Sequence, residues 1–195
     1  MNFPDAKLFR GFSDLAKAQV RGRDYEIEVS PRPTSRVAVI APHGGAIEPR
    51  TSEIARAIAA DDLSLYVFEG IRPSNNYAAL HLTSHLFDEP ECLALIAQCP
   101  VVVAIHGCAG TEEKVLLGGL NAALKGELAA TLISVNIIAE VDGHLFPATD
   151  PHNICNRGLG RSGVQLEFTR SLRGAASEAS AVSAIRSVLV GLNAA

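Results

Sequence analysis

Two short runs, Val37-Ala38-Val39-Ile40-Ala41 and Val101-Val102-Val103-Ala104-Ile105, are apolar at every position, and each leads into a histidine followed by glycine. A strand covered on one face alternates apolar with polar residues, so an unbroken run of this length reads as a strand covered on both faces. The segments between and after these runs supply the cover. Residues 51–60 place Ile54 and Ile58 at helical spacing behind a hydroxyl residue at the start, 64–68 return to strand, and 91–98 read as a helix. Further on, 115–117 read as a strand, 121 to about 138 as one long apolar helix, 164–168 as a late strand and 178–192 as a closing helix. Upstream, Tyr25-Glu26-Ile27-Glu28-Val29 alternates in the manner of a half-exposed edge strand. This order predicts an α/β three-layer sandwich with a mixed, largely parallel sheet.

A length of 195 residues fits a single domain spanning 1–195, and the one linker-like stretch, residues 30–35, is too short to separate two. With 48% apolar and 19% charged residues the chain has the composition of a folded protein. The balance of 17 basic and 21 acidic residues gives a net charge of −4, which disfavours nucleic acid and anionic membranes as partners. No apolar stretch approaches the roughly 20 residues of a membrane-spanning helix. Asp5 and Lys7 stand where an export signal would have its apolar centre, so the reading is cytoplasmic, and a monomer is expected. Cys92, Cys99, Cys108 and Cys155 contain no C-x-x-C pair and read as free thiols in a reducing compartment.

In open α/β sheets ligands bind beyond the carboxyl ends of the strands. Both buried strands deliver a histidine there, His43 and His106, and the glycines that follow leave room for a sharp turn and a ligand. Glu48, five residues beyond His43, can fold back towards it. Two histidines and a carboxylate form the ligand set of a catalytic zinc site; the plainer possibility is that each histidine simply hydrogen-bonds a loop. Glu167 is the candidate general base, because Val164, Leu166 and Phe168 alternate with Gln165, Glu167 and Thr169. Between 151 and 175 it is the single acidic residue among Arg157, Arg161, Arg170 and Arg173. That patch suits an anionic substrate if it faces the metal, and otherwise pairs Glu167 on a solvated strand. The patternless stretch around Ser74-Asn75-Asn76 and His81-Leu82-Thr83-Ser84 has the character of a functional loop, from which His81 could touch substrate.

Several ordered blocks carry a family resemblance: Ala41-Pro42-His43-Gly44-Gly45-Ala46-Ile47-Glu48-Pro49, Ser74-Asn75-Asn76 onward to Asp88-Glu89-Pro90, Ile105-His106-Gly107, Asn153-Ile154-Cys155-Asn156-Arg157-Gly158 and Gly163-Val164-Gln165-Leu166-Glu167. From about residue 24 onward the chain resembles the poly-γ-glutamate hydrolases, a largely phage and bacterial family similar in fold to zinc carboxypeptidases. The resemblance implies a zinc-carboxypeptidase-like core and metallopeptidase-like cleavage of γ-glutamyl amide bonds in poly-γ-glutamate or a related glutamyl peptide. It implies Zn2+ as cofactor on His43, Glu48 and His106, with Glu167 as general base and later general acid. It also implies Asn156 and Arg157 as holders of a substrate carboxylate or oxyanion, with looser substrate-binding roles for Arg161, Arg170, Arg72 and His81. Two other readings stay open at this point: a metal-free cysteine amidohydrolase using Cys108, and a non-catalytic anion-binding module on the glycine-rich strand ends.

Overall fold

The computed structural model describes residues 9–194; residues 1–8, part of the stretch read above for an export signal, lie outside it. In chain order the elements are α1 (Phe12–Ala18), β1 (Tyr25–Ser30), β2 (Val37–Gly45), α2 (Thr51–Ala59), β3 (Ser64–Gly70), α3 (Asn76–Leu80) and α4 (Pro90–Ile96). They continue with β4 (Val101–Cys108), β5 (Lys114–Gly118), α5 (Ala122–Ser134), β6 (Ile138–Glu140), a 3-10 turn (Ile154–Asn156), β7 (Val164–Thr169) and α6 (Glu178–Ala194). The strands form one seven-stranded sheet in the order β1-β3-β2-β4-β7-β5-β6. Its centre, β3-β2-β4-β7, is parallel; β1 runs antiparallel to β3 and β5 antiparallel to β7, while β6 is parallel to β5.

The two apolar runs pair directly, Val37 with Val101 through Ile40 with Ala104, at the middle of the sheet. Alternate residues go to opposite faces, the period of any extended strand. Val37, Val39, Ala41, Val103 and Ile105 join Ile54 and Ile58 of α2, Leu128 and Leu132 of α5 and Ile185 and Leu189 of α6 in one core. Ala38, Ile40, Val102 and Ala104 join a second core with Leu15 of α1, Leu80 of α3 and Leu95 and Ile96 of α4. The sandwich and the mixed, largely parallel sheet follow the sequence expectation, and Tyr25–Ser30 is an edge strand as its alternation requires. The four cysteines are buried free thiols. No helix among the described residues is long and apolar enough to cross a membrane.

Three local expectations are corrected. The helix read from 121 to about 138 ends at Ser134, beyond which Asn136 takes a left-handed conformation (φ 63°) and residues 138–140 become β6. Apolar residues on either side of Asn136 gave no sign of the break, because the same residue types line a helix and a short parallel strand. The hydroxyl at the start of α2 is not a cap: Arg50 holds the capping position in a left-handed conformation, and Thr51 reaches backwards instead. The patternless stretch near Asn75 contains the one-turn helix α3, too short to show a period.

Candidate functional site

Strand β2 does not stop at Ala41 but runs on to Gly45, with its register against β3 shifting between Ala41 and Gly44. That irregularity sets His43 among His81, His106 and Phe87, on the face of the sheet that carries α3 and α4. The turn back to Glu48 is closed by the Glu48 amide donating to the His43 carbonyl (2.9 Å). Thr51 Oγ1 clamps it from outside, donating to the carbonyls of both His43 (3.2 Å) and Glu48 (2.8 Å). Gly45, at φ +60°, lies so close to β3 that a Cβ there would sit 2.5 Å from the Gly70 carbonyl oxygen, so a larger residue would push the turn off the sheet. His106 extends from β4 on the same face as Val102 and Ala104.

These residues converge. His43 Nδ1 lies 3.0 Å from Glu48 Oε1 and 3.1 Å from His106 Nδ1, and Glu48 Oε2 is 3.5 Å from His106 Nδ1. The three side chains are buried, and one ligand atom from each falls within 4.8 Å of the others. His43 Nε2 faces the Leu82 carbonyl at 2.8 Å; a carbonyl can only accept, so Nε2 carries the proton and Nδ1 of the neutral ring is a lone pair. Lone pairs from His43 and Glu48 aimed at one point repel unless a cation, either a proton or a metal ion, stands between them. The nitrogen and oxygen donors fit zinc, and the carbonyl behind His43 is the kind of partner that fixes the orientation of a metal-binding imidazole. Glu48 Oε2 also accepts the Gly107 amide (2.8 Å), which pins the carboxylate from the β4 side.

Burial works against ionised Glu48, but His43 and His106 outweigh it and hold the carboxyl well below the usual range. His106 is raised above its ordinary value: burial opposes the charge, and the bond to Glu48 with the charges of Glu48 and Glu167 overcomes it. Glu167 pairs with His106 across the β4–β7 ladder, where neighbouring strands stand about 4.8 Å apart. Burial pushes its carboxyl up to about 7; His106 opposes the rise and Glu48 adds to it. Behind it runs a buried chain of amides. The Cys155 amide donates to Asn153 Oδ1 (3.1 Å), Asn153 Nδ2 donates to Gln165 Oε1 (3.0 Å), and Gln165 Nε2 donates to Glu167 Oε1 (2.9 Å). A backbone N–H at the far end fixes the direction of every bond in the chain, so Oε1 of Glu167 is an acceptor and its proton, when present, belongs on Oε2.

The site opens into a cavity of about 540 Å³. His43, Glu48, His106, Glu167 and His81 all line it. His81 stacks on Tyr77 (4.4 Å between centroids), with Nε2 3.7 Å from Glu48 Oε1, and burial pushes its imidazole down to about 3. The other residues implied as substrate holders lie elsewhere. Asn156 is buried with its amide engaged by the protein: Oδ1 accepts from Leu120 and Gly163, and Nδ2 donates to the carbonyls of Ala148 and Asp150. Arg157 donates to the Phe87 carbonyl (3.0 Å), Arg72 is paired with Asp24 (2.8 Å), and Arg161 and Arg170 are exposed. Cys108 does line the cavity, but burial pushes its thiol up to about 12, which leaves little of the thiolate that a cysteine nucleophile requires.

Residue-type reasoning passed over Gln165 and Asn153, although the alternation that singled out Glu167 puts Gln165 on the same face. It counted Arg173 only as part of a patch. Arg173 is the arginine packed against Gly107: it donates to the carbonyls of Pro49 (2.7 Å) and Cys108 (3.1 Å), tying the Glu48 turn to the end of β4.

Two histidines and a glutamate beneath an open cavity, with a second carboxylate tuned near neutrality beside them, are the groups that a metal-dependent hydrolase assembles. Residues 9–187 match the poly-gamma-glutamate hydrolase family, and the chain belongs to it. It is 34% identical over 140 residues, 71% of its length, to the SPbeta prophage-derived UPF0714 protein YoqZ of Bacillus subtilis. Over 169 residues, 85% of its length, it is 31% identical to the UPF0714 protein YndL of the same organism. The chain spans 50% of YoqZ and 65% of YndL. Among solved structures it superposes on a bacteriophage poly-gamma-glutamate hydrolase with a TM-score of 0.89 and 31% identity, covering 97% of this chain and 99% of that one. The zinc-free apo form of YndL gives 0.83 at 27% identity, covering 96% of both chains.

Proposed function

We propose that this protein is a zinc-dependent hydrolase of γ-glutamyl amide bonds, with poly-γ-glutamate or a related glutamyl peptide as substrate. The observation that carries the reading is the convergence of His43 Nδ1, His106 Nδ1 and Glu48 on one point beside a buried, near-neutral Glu167. Family membership and the likeness to a phage enzyme of that activity support it. A zinc ion held by His43, Glu48 and His106 would supply Lewis-acid polarisation of the scissile carbonyl and lower the pKa of water at the site.

The protein's own groups supply the rest. Glu167 takes a proton from the attacking water on Oε2, because Gln165 keeps Oε1 engaged, and then delivers it to the departing amine. Burial raises that carboxyl above the ordinary glutamate range, which makes it a stronger base towards the water proton. Tyr77 and His81, stacked together along the cavity wall, are placed to orient the substrate.

Elemental analysis of protein purified without added metal tests the centre. About one zinc per chain is expected for the wild type, and much less for the His43→Ala, His106→Ala double variant. Wild-type protein that takes up no metal even when zinc is supplied would overturn the mechanism.

A further inference from the structure

A γ-linked glutamyl chain brings a free α-carboxylate with every unit, yet the described residues that line the cavity include no lysine or arginine. Imidazoles and neutral donors have to meet that charge. Of the lining imidazoles, His43 and His106 are the candidate metal ligands, and His81 packs its ring against those of Tyr77 and His43 (4.4 and 4.1 Å between centroids). His85 is left. It lines the cavity and is exposed, and its ring makes no hydrogen bond, ion pair or ring contact among the described residues.

The turn that carries His85 has its acceptors engaged and its donors free. The Leu82 carbonyl accepts from His43 Nε2 (2.8 Å), the Thr83 carbonyl from the Leu86 amide (2.7 Å) and the Ser84 carbonyl from the Ile154 amide (2.9 Å). A trans peptide is planar, so the N–H of each of these units points away from the group that its carbonyl meets. Those N–H groups belong to Thr83, Ser84 and His85, and none of them donates to a protein group among the described residues. All three residues line the cavity, and Ser84 Oγ comes within 3.5 Å of His106 Nε2. Asp150, an acid within electrostatic reach of His85, is engaged elsewhere: its Oδ1 accepts the His152 amide (2.8 Å). Free amides beside two hydroxyls and an imidazole are complementary to a carboxylate.

We propose that the 83–86 turn receives a free α-carboxylate of the glutamyl substrate beside the scissile bond, with His85 as its specificity-determining residue. The inference rests on the hydrolase reading above and deepens it by naming the part of the substrate that is read. An imidazole carries an N–H donor whether neutral or protonated, so His85 serves in both states. The hydroxyls of Thr83 and Ser84 and the amides of residues 83–85 supply further donors on the same turn. Because His43 donates to the Leu82 carbonyl, the turn is tied directly to the candidate metal centre, and a carboxylate held there is fixed relative to the reacting amide. Amidation of the α-carboxylates keeps the γ-linked backbone and removes the charge that the turn reads.

The test compares γ-linked tetraglutamate with the same tetramer carrying its α-carboxylates as primary carboxamides, on the zinc-loaded wild type, His85→Ala and His85→Gln. His85 is exposed and its ring has no partner, so neither substitution disturbs the fold. The wild type is expected to favour the free acid by about tenfold or more in kcat/KM, chiefly through KM. His85→Ala should bring the two compounds to within about threefold of each other, and His85→Gln, which keeps an N–H donor, should recover part of the preference. Calorimetric binding of both compounds to zinc-loaded Glu167→Gln protein, with and without His85→Ala, should show the same preference and the same loss. Equal handling of the two compounds by the wild type, or a preference that His85→Ala leaves undiminished, would overturn the inference, while cleavage of tetraglutamate would leave the hydrolase reading standing. Failure of the zinc-loaded wild type to cleave either compound would overturn both.

Discussion

The two faces of the central sheet are made from alternate residues of the same strands and are equally dry, yet they do opposite work. On β7, Val164, Leu166 and Phe168 are fully buried in the core beneath α2, α5 and α6. Gln165, Glu167 and Thr169 point the other way and are buried as well, each held by a hydrogen bond. The first face is covered by long helices that meet apolar side chains. The second, at the carboxyl ends of β2, β4 and β7, is covered by α3, the loop around His81 and the segment from Leu145 to Asn153. Such irregular pieces carry polar groups of their own. They give Gln165 an amide partner in Asn153, and they hold Glu167 away from water without surrounding it in hydrocarbon. Burial is therefore not what separates core from site in this protein; the separation lies in whether the covering layer can answer a polar group.

The contrast breaks most visibly at neighbouring positions on β7. Glu167→Gln is expected to lower turnover by about 10²–10⁴-fold, the range for loss of a positioned proton-transfer group, while leaving zinc content near the wild-type level. Steady-state kinetics beside elemental analysis would separate the two effects. One residue along, Phe168→Ala opens a cavity on the apolar face and should remove about 3–5 kcal/mol of stability, measured by urea unfolding. Its consequences for catalysis should come only through that loss.

A subtler test uses pH on metal-free protein. The Glu167 carboxyl titrates near 7 when folded and near 4.5 as an ordinary glutamate, so its folded value is the higher one. Below the unfolded value the group is protonated in both states and folding is not opposed. As pH rises through 7 that advantage is lost, since the unfolded chain releases the proton more easily. Wild-type stability relative to Glu167→Gln should therefore fall between pH 4.5 and pH 7 by an amount on the order of 1–3 kcal/mol, then level off. Parallel unfolding curves at pH 5 and 8 would reveal it, and a difference that does not change with pH would count against the buried carboxyl. The smallest effects belong to the exposed cations: Arg161→Ala and Arg170→Ala should each change stability by no more than about 0.5 kcal/mol. A large rise in KM for either would show that the patch reaches substrate after all.

The sequence announced the apolar face more clearly than the polar one, for physical reasons. Continuous β-branched runs such as Val101-Val102-Val103 have few alternatives to a doubly covered strand, and β7 declared its two faces by strict alternation. The histidines and Glu48 could be found because strand ends in parallel sheets are where side chains meet a ligand. Short α1 and α3 escaped notice because one or two turns show no period, and the junction of α5 and β6 because hydrophobicity alone does not distinguish the elements. The arginines were the hardest to place. A count of charges between 151 and 175 says nothing about direction, and of the group it is Arg173, not Arg161 or Arg170, that folds against the end of β4. Asn156 entered through the family resemblance, which carries no geometry; its side chain ties together four backbone groups, the amides of Leu120 and Gly163 and the carbonyls of Ala148 and Asp150.

The position of β7 sets the order in which the molecule can be assembled. It is the last strand of the described chain, yet it lies between β4 and β5, so β5, α5 and β6 have no place in the sheet until it arrives. Strands β1 to β4 can pair among themselves as they emerge during synthesis, and His43, Glu48 and His106 all belong to that early half. Glu167 comes with the closing strand. The centre that would hold the ion is thus separable in time from the group that would move the proton, and the second completes the site only when the sheet itself is complete.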